Sequence, residues 1–172
     1  MSSITPRRLP WLLLISAAII FLDRWTKTWV EEHIPLGGPI DHRHGPPPSF
    51  SFHISHYLND GAAFSLFANS ASPQFVRWAL AGFGSCLVLG VLIALVRLGH
   101  SFTPTTVALS FVFGGALGNL HDRILYGSVV DFIEVRIFNY PWPDFNIADS
   151  AIVTGACLLL LDSLLTKNSP ED

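Results

Sequence analysis

The chain has 172 residues, 50% of them hydrophobic and only 13% charged, with a mean hydropathy of +0.45. A soluble domain carries about 25% charged residues, so this balance excludes an ordinary water-soluble globule as well as a disordered chain. The net charge of -3 and a pI near 6.1 speak against a nucleic-acid partner, which calls for a basic patch or stripe.

An apolar stretch opens at Leu9, after Arg7 and Arg8. A basic start followed by an apolar run is how a signal peptide begins, but here the hydrophobicity continues past Ala17-Ala18 and no small-residue cleavage site closes it. The stretch carries on through Trp25 and Trp29, side chains suited to a membrane interface, and predicts an uncleaved span over about 9–30. Residues 31–72 then read as an extracytoplasmic segment. It holds Gly37-Gly38 and Pro46-Pro47-Pro48, followed by the alternation Phe50-Ser51-Phe52-His53-Ile54-Ser55. That period of two predicts a strand, and Asn59-Asp60-Gly61 is a turn signal.

Residues 78–96 form a run of nineteen without a charge, bracketed by Arg77 and Arg97, and predict a second span over about 75–97. Residues 102–120 are as long and as free of charge, ending just before His121-Asp122-Arg123, and predict a third over 102–123. Residues 124–146, with Gly127, Pro141 and Pro143, read as a second extracytoplasmic loop. The last run, 147–165, carries Asp149 and Asp162 near its ends. Its uninterrupted apolar core is only 151–161, which makes it the weakest of the four spans. The expected fold class is thus an all-α membrane protein in one domain over residues 1–172. It is a four-helix transmembrane bundle with a small extracytoplasmic β-containing loop region.

Small residues recur every fourth position: Gly82, Cys86 and Gly90 in the second run, Gly114 and Gly118 in the third, Ala151 and Gly155 in the fourth. Such stripes let helix backbones approach closely in lipid. Cys86 and Cys157 both lie in apolar runs and read as small core residues. Arg7, Arg8, Arg97 and Lys167 favour cytoplasmic termini, while Arg24, Lys27, Arg77 and Arg123 near the outer ends weaken that bias.

Polar residues inside apolar spans are costly, about 2.5–3.5 kcal/mol near the bilayer centre on insertion scales. Here Asp23, Asn119, Asp122, Arg123, Asn146 and Asp149 all fall toward the outer ends, so three spans deliver polar groups to one membrane face. Asn119, Asp122 and Arg123 are spaced i, i+3, i+4 and share a face of a continuing helix. Asp122 and Arg123 could equally cap the helix end and snorkel toward headgroups, and His121 reads as an interface residue. Asp131 lies between Val130 and Phe132, an odd setting for a solvated acid, unless it is an exposed position on a short strand. Asn146 and Asp149 have the spacing of an N-cap and its N3 partner, a variant of the capping box that does not exclude chemistry. His42 with His44, and His53 with His56, make a loop metal site conceivable, but no carboxylate or cysteine completes a recognisable ligand spacing. No metal is expected.

Five blocks in order then carry a resemblance. Asp23-Arg24-Trp25-Thr26-Lys27, Asn59-Asp60-Gly61-Ala62-Ala63-Phe64, Gly118-Asn119-Leu120-His121-Asp122-Arg123, Gly127-Ser128-Val129-Val130-Asp131-Phe132 and Phe145-Asn146-Ile147-Ala148-Asp149 resemble the motifs of the lipoprotein signal peptidase family (signal peptidase II). The resemblance implies an aspartic endopeptidase of the bacterial cytoplasmic membrane with its active site at the outer face. Asp131 and Asp149 match the family's catalytic pair. Asn59, Asn119, Arg123 and Asn146 match positions that orient the pair or bind substrate, while Asp23 and Asp122 match acids that give structural support. The implied partner is a prolipoprotein carrying a diacylglyceryl-cysteine, cleaved before that cysteine, with membrane lipid around the enzyme; a monomer is favoured, the oligomeric state being open at this point. No cofactor is implied. The histidine- and proline-rich stretch 35–48 matches no motif. The alternative, a small four-span transporter or channel subunit, predicts polar groups spread through the membrane depth instead of gathered at one face.

Overall fold

The computed structural model describes residues 8–38, 50–61, 72–138 and 140–167. Within them the elements run α1 (Leu9–His33), β1 (Phe50–Asn59), α2 (Pro73–Leu98), α3 (Pro104–Leu125), β2 (Val129–Ile137), β3 (Tyr140–Phe145) and α4 (Ile147–Lys167). Proline stands in the first turn of α1, α2 and α3, where its missing N–H is no loss. At α3, Thr103 and Thr106 also cap each other's backbone N–H, so this helix starts sharply after the short link from α2.

α3 is the central helix, packed against α1, α2 and α4, while α2 and α4 barely meet. Its position explains a departure from the sequence expectation. α1, α2 and α4 are each long and apolar enough to cross a membrane, and α3 does not reach the same apolarity. The fourth run, expected to be the weakest, therefore qualifies and the third does not. α3 is wrapped by its neighbours, so it can carry Thr106, Ser110, Gly114, Gly115, Gly118 and Asn119 on buried positions without showing them to lipid. The outer helices instead expose large apolar side chains, among them Phe21, Phe83, Val153 and Leu161.

The small-residue stripes are real on α3 and α4 only. A methyl on Gly115 would stand 2.3 Å from the Ala148 carbonyl oxygen, and one on Gly155 would stand 2.7 Å from the Ala108 carbonyl oxygen. Gly82 and Gly90 face open space. Cys86 and Cys157 are exposed, against the expectation of core residues; both sit on the outward sides of helices whose inner faces already pack on α3.

The three strands form one antiparallel sheet in the order β1-β2-β3. β1 starts where the alternation begins and runs on to Asn59, its register shifting between Ile54 and Tyr57. The second loop is a correction: residues 124–146 hold a hairpin. Ile133, Val135 and Ile137 alternate with Glu134 and Arg136, a strand pattern obscured by the apolar block before it. Pro141 and Pro143 are compatible with β3 because it is an edge strand, where a missing N–H breaks no ladder. Gly127, at φ +91°, makes the turn from α3 into β2.

The buried face of α1 explains how the core is divided. Leu12, Ser16, Ile19, Asp23, Lys27 and Val30 are all buried on one stripe. Leu12 packs with Val91, Leu95 and Phe113 at one end of the bundle, and Val30 packs with Val130, Phe132 and Ile133 beneath the sheet at the other. Between these apolar clusters the same stripe turns ionic.

Candidate active site

Asp23 and Lys27 stand one turn apart on α1, both fully buried. Lys27 Nζ donates to Asp23 Oδ2 at 2.7 Å, to Asp122 Oδ2 of α3 at 2.7 Å and to Asn119 Oδ1 at 3.2 Å. Arg24 Nη1 donates to the other oxygen of Asp122 at 2.8 Å, and the backbone N–H of Ala148 donates to Asp23 Oδ1 at 3.0 Å. Two cations and two carboxylates are thus paired, as ions buried in an apolar medium must be. Asp23 ties α1 to the first turn of α4. Asp122 is a buried ion-pair partner and does not snorkel.

Arg123, one residue on, turns the other way. Its Nη2 donates to the Gly61 carbonyl at 2.9 Å, and its Nη1 to the Asn119 carbonyl at 3.4 Å. Arg77 of α2 completes this end of α3 by donating to the Arg123 and Ile124 carbonyls, which lack partners inside the helix. Arg123 therefore holds the start of the chain beyond Asn59. Ala62, Ala63 and Phe64, the rest of that motif, lie outside the described residues, as do Pro46-Pro47-Pro48 and most of the stretch 35–48.

Asp131 sits on β2, buried at 4% exposure, where its strand passes the ends of α3 and α4. Asn59 Nδ2, from the paired strand β1, donates to its Oδ2 at 3.0 Å. Asn146 Nδ2 donates to its Oδ1 at 2.8 Å. Burial, and after it the charge of Asp149, push the Asp131 carboxyl from its ordinary 3.8 to about 7, against the pull of those two amides.

Asn146 is the N-cap of α4. Its Oδ1 accepts from the Asp149 backbone N–H at 2.9 Å, and its own N–H donates to Asp149 Oδ2 at 3.3 Å. The capping box is therefore present, and the same two side chains also reach the buried polar cluster. Asn119 Nδ2 donates to Asp149 Oδ1 at 2.7 Å, and Asn146 Nδ2 approaches Asn119 Oδ1 at 3.3 Å. Asp131 and Asp149 are thereby joined through two asparagines.

Both acids line a cavity of about 680 Å³ together with Asn59, Asn119 and Arg123. Away from the acids its walls are Leu80, Phe83 and Leu87 of α2, Ala116 and Leu120 of α3, and Ile152 and Val153 of α4. The cavity occupies the gap left because α2 and α4 barely meet. Polar atoms at one end and a long apolar wall at the other suit a substrate of mixed character.

Two residues went unassigned in the sequence. Lys27 entered only as part of a motif and as one of the basic residues that weaken the charge bias, although its i, i+4 spacing from Asp23 was the signal of a pair. Asp144, on the cavity lip, is pushed up to about 6 by burial and then by Glu134, against Arg136; nothing in its local sequence marks it. Among the described residues no three His, Cys, Asp or Glu side chains gather as a metal site. His42 and His44 lie outside the described residues. His56 Nδ1 instead lies 2.8 Å from the Ile34 carbonyl oxygen.

Comparison with known proteins identifies the family. Residues 15–165 match the family model described as signal peptidase (SPase) II. A lipoprotein signal peptidase of Brevibacillus brevis is 39% identical over 155 residues, covering 90% of this chain and 95% of the relative. One from Acinetobacter baumannii is 40% identical over 169 residues, covering 97% and 90%. A bacterial membrane enzyme solved by the in meso method at 2.3 Å resolution is 32% identical, with a TM-score of 0.71 over 95% of this chain and 93% of its own. The transporter alternative finds no support among them. With its apolar helices and this kinship, the chain is a multi-pass membrane protein and belongs to the signal peptidase II family, hydrolases that remove signal peptides from prolipoproteins.

Proposed function

We propose that Asp131 and Asp149 are the catalytic pair of an aspartic endopeptidase acting on diacylglyceryl-modified prolipoproteins, cleaving before the lipidated cysteine. The observation that carries this reading is their meeting on one cavity, bridged by Asn119 and Asn146. Two carboxyls coupled in a buried site share one proton. Asp131, raised to about 7 by burial and by its partner's charge, is the member that holds it. Asp149 takes a proton from the attacking water, and Asp131 protonates the carbonyl oxygen of the scissile bond. As the tetrahedral intermediate collapses, Asp149 passes its proton to the leaving amine nitrogen while the C–N bond breaks, and Asp131 takes back its proton from the oxygen, so the pair is reset.

Asn59 and Arg123 flank the acids and supply donors that orient substrate and pair. Asp23 and Asp122 hold α1, α3 and α4 together beneath them. The apolar wall from Leu80 to Leu87 receives the acyl chains. The four helices cross the bacterial inner membrane, with residues 31–72 and 124–146 and the polar end of the cavity on the extracytoplasmic side. The enzyme works as a monomer in contact with membrane lipid.

The test is cleavage of a diacylglyceryl-modified prolipoprotein by purified protein in detergent. Wild type is expected to cleave, and folded Asp131→Asn and Asp149→Asn to fall by at least about 1,000-fold, since each lacks one of the two proton-transfer groups. Near-normal activity in either variant overturns the assignment of that residue.

A further inference from the structure

The ammonium of Lys27 has three N–H bonds and no lone pair, so whatever faces it must be an acceptor. Two of its bonds go to Asp23 and Asp122, and the third to the side chain of Asn119 at 3.2 Å. That third contact decides which way the Asn119 amide lies. Its oxygen turns toward Lys27, and its NH2 group is left facing Asp149 Oδ1 at 2.7 Å. Asn146 also donates to the Asn119 oxygen, but from 3.3 Å, and its NH2 group serves Asp131 and the Val130 carbonyl as well. Lys27 is the full charge holding the amide from behind. Half a turn of that amide would put an oxygen lone pair against the Asp149 carboxylate.

The charge of Lys27 also reaches Asp131 through space, as the smallest of the influences on that carboxyl. Asp23 and Asp122 both lie 2.7 Å from it and offset its charge. The other charged groups around Asn119 are Arg24 on α1, Arg123 on α3, Asp149 on α4 and Asp131 on β2; Arg24 is held by Asp122 and Arg123 by the Gly61 carbonyl. The direct route from Lys27 to Asp149 therefore runs through the amide. We propose that Lys27 is a positioning residue of the catalytic pair: it pins Asn119 so that an amide donor faces Asp149. The inference rests on the pair assigned above.

The test is a double-mutant cycle on detergent-purified full-length protein in an Asp122→Asn background, so that losing the buried cation also loses a buried anion. Lys27→Met is compared with Asn119→Ala and with the two combined, measuring kcat, KM and pH profile per folded molecule on a diacylglyceryl-modified prolipoprotein. Lys27→Met is expected to lower kcat on the order of 30-fold with KM nearly unchanged, and to move the acid limb of the profile up by about one unit. Combined with Asn119→Ala it is expected to cost no more than Asn119→Ala alone, because both act on one contact. Additive losses, or an unmoved acid limb, overturn the proposal. Lys27→Gln, which keeps a polar group in the site, is carried through the same cycle. If neither variant folds, the lysine serves the bundle itself and the proposal fails. An active Asp149→Asn would sink the pair assignment instead; an inactive one beside additive Lys27 losses sinks only this inference.

Discussion

Asn146 and Asp149 hold each other twice, the Asp149 backbone N–H on the Asn146 side chain at 2.9 Å and the Asn146 N–H on the Asp149 carboxylate at 3.3 Å. A local helix-start device thereby holds the side chain of Asp149 where it lines the cavity. The cap and the chemistry can be separated. Asn146→Ser keeps an N-cap oxygen but has no amide to reach Asp131. It is expected to stay within about 1 kcal/mol of wild-type stability, with Asn146→Ala about 1 kcal/mol worse. Both should lose about 100-fold in kcat, measured alongside thermal unfolding in detergent.

The pH dependence follows from Asp131. Its carboxyl is raised to about 7, so it is protonated below that pH and loses its proton above it. Cleavage is expected to decline on the alkaline side with an apparent pKa near 7. Stability should follow the same sign. The folded chain binds this proton more tightly than the unfolded one, so its contribution is complete below the ordinary value of 3.8 and is lost as pH rises through about 7. Asp131→Asn should flatten both, read by pH-resolved thermal unfolding and, for the residual activity, by a cleavage assay.

Gly115 and Gly82 make a matched pair of probes. A methyl at Gly115 meets the Ala148 carbonyl oxygen at 2.3 Å, backbone that cannot step aside alone, while Gly82 faces open space. Gly115→Ala is expected to destabilise by about 1–3 kcal/mol. It should also lower kcat, because the turn it displaces carries Asp149. Gly82→Ala should be neutral or stabilising by up to about 1 kcal/mol, as alanine favours the helix. Thermal unfolding of both in one detergent decides it.

The apolar wall of the cavity is tested by Leu87→Trp. Filling that space is expected to raise KM for a diacylglyceryl-modified prolipoprotein about 10-fold while leaving kcat within about two-fold, the pattern of lost uniform binding. An unchanged KM would place the acyl chains elsewhere.

Much of this site was legible in the sequence because membrane helices leave few reasons for a polar residue. Asp23, Asn119, Asp122 and Asn146 stood out against apolar runs, and each is buried in the polar cluster. What stayed hidden depended on the third dimension. Lys27 looked like one more basic residue near an interface until Asp122 and Asn119 arrived from α3. The hairpin over 129–145 was masked because Val129, Val130, Phe132 and Ile133 are buried on both faces of the strand, which erases the alternation. The stripe of Gly82, Cys86 and Gly90 misled because spacing alone does not say which face a neighbour covers.

The modest apolarity of α3 bears on how the protein is made. A helix carrying Asn119 and Asp122 gains little from lipid on its own, and these two side chains find their partners on α1 and α4. α4 is the last of these helices to leave the ribosome. Until it arrives, Asn119 has Lys27 but lacks Asp149 and Asn146, and Asp23 lacks the Ala148 N–H that it accepts in the finished bundle. The helix that carries Asp149 is thus also the one that completes the polar contacts of its neighbours.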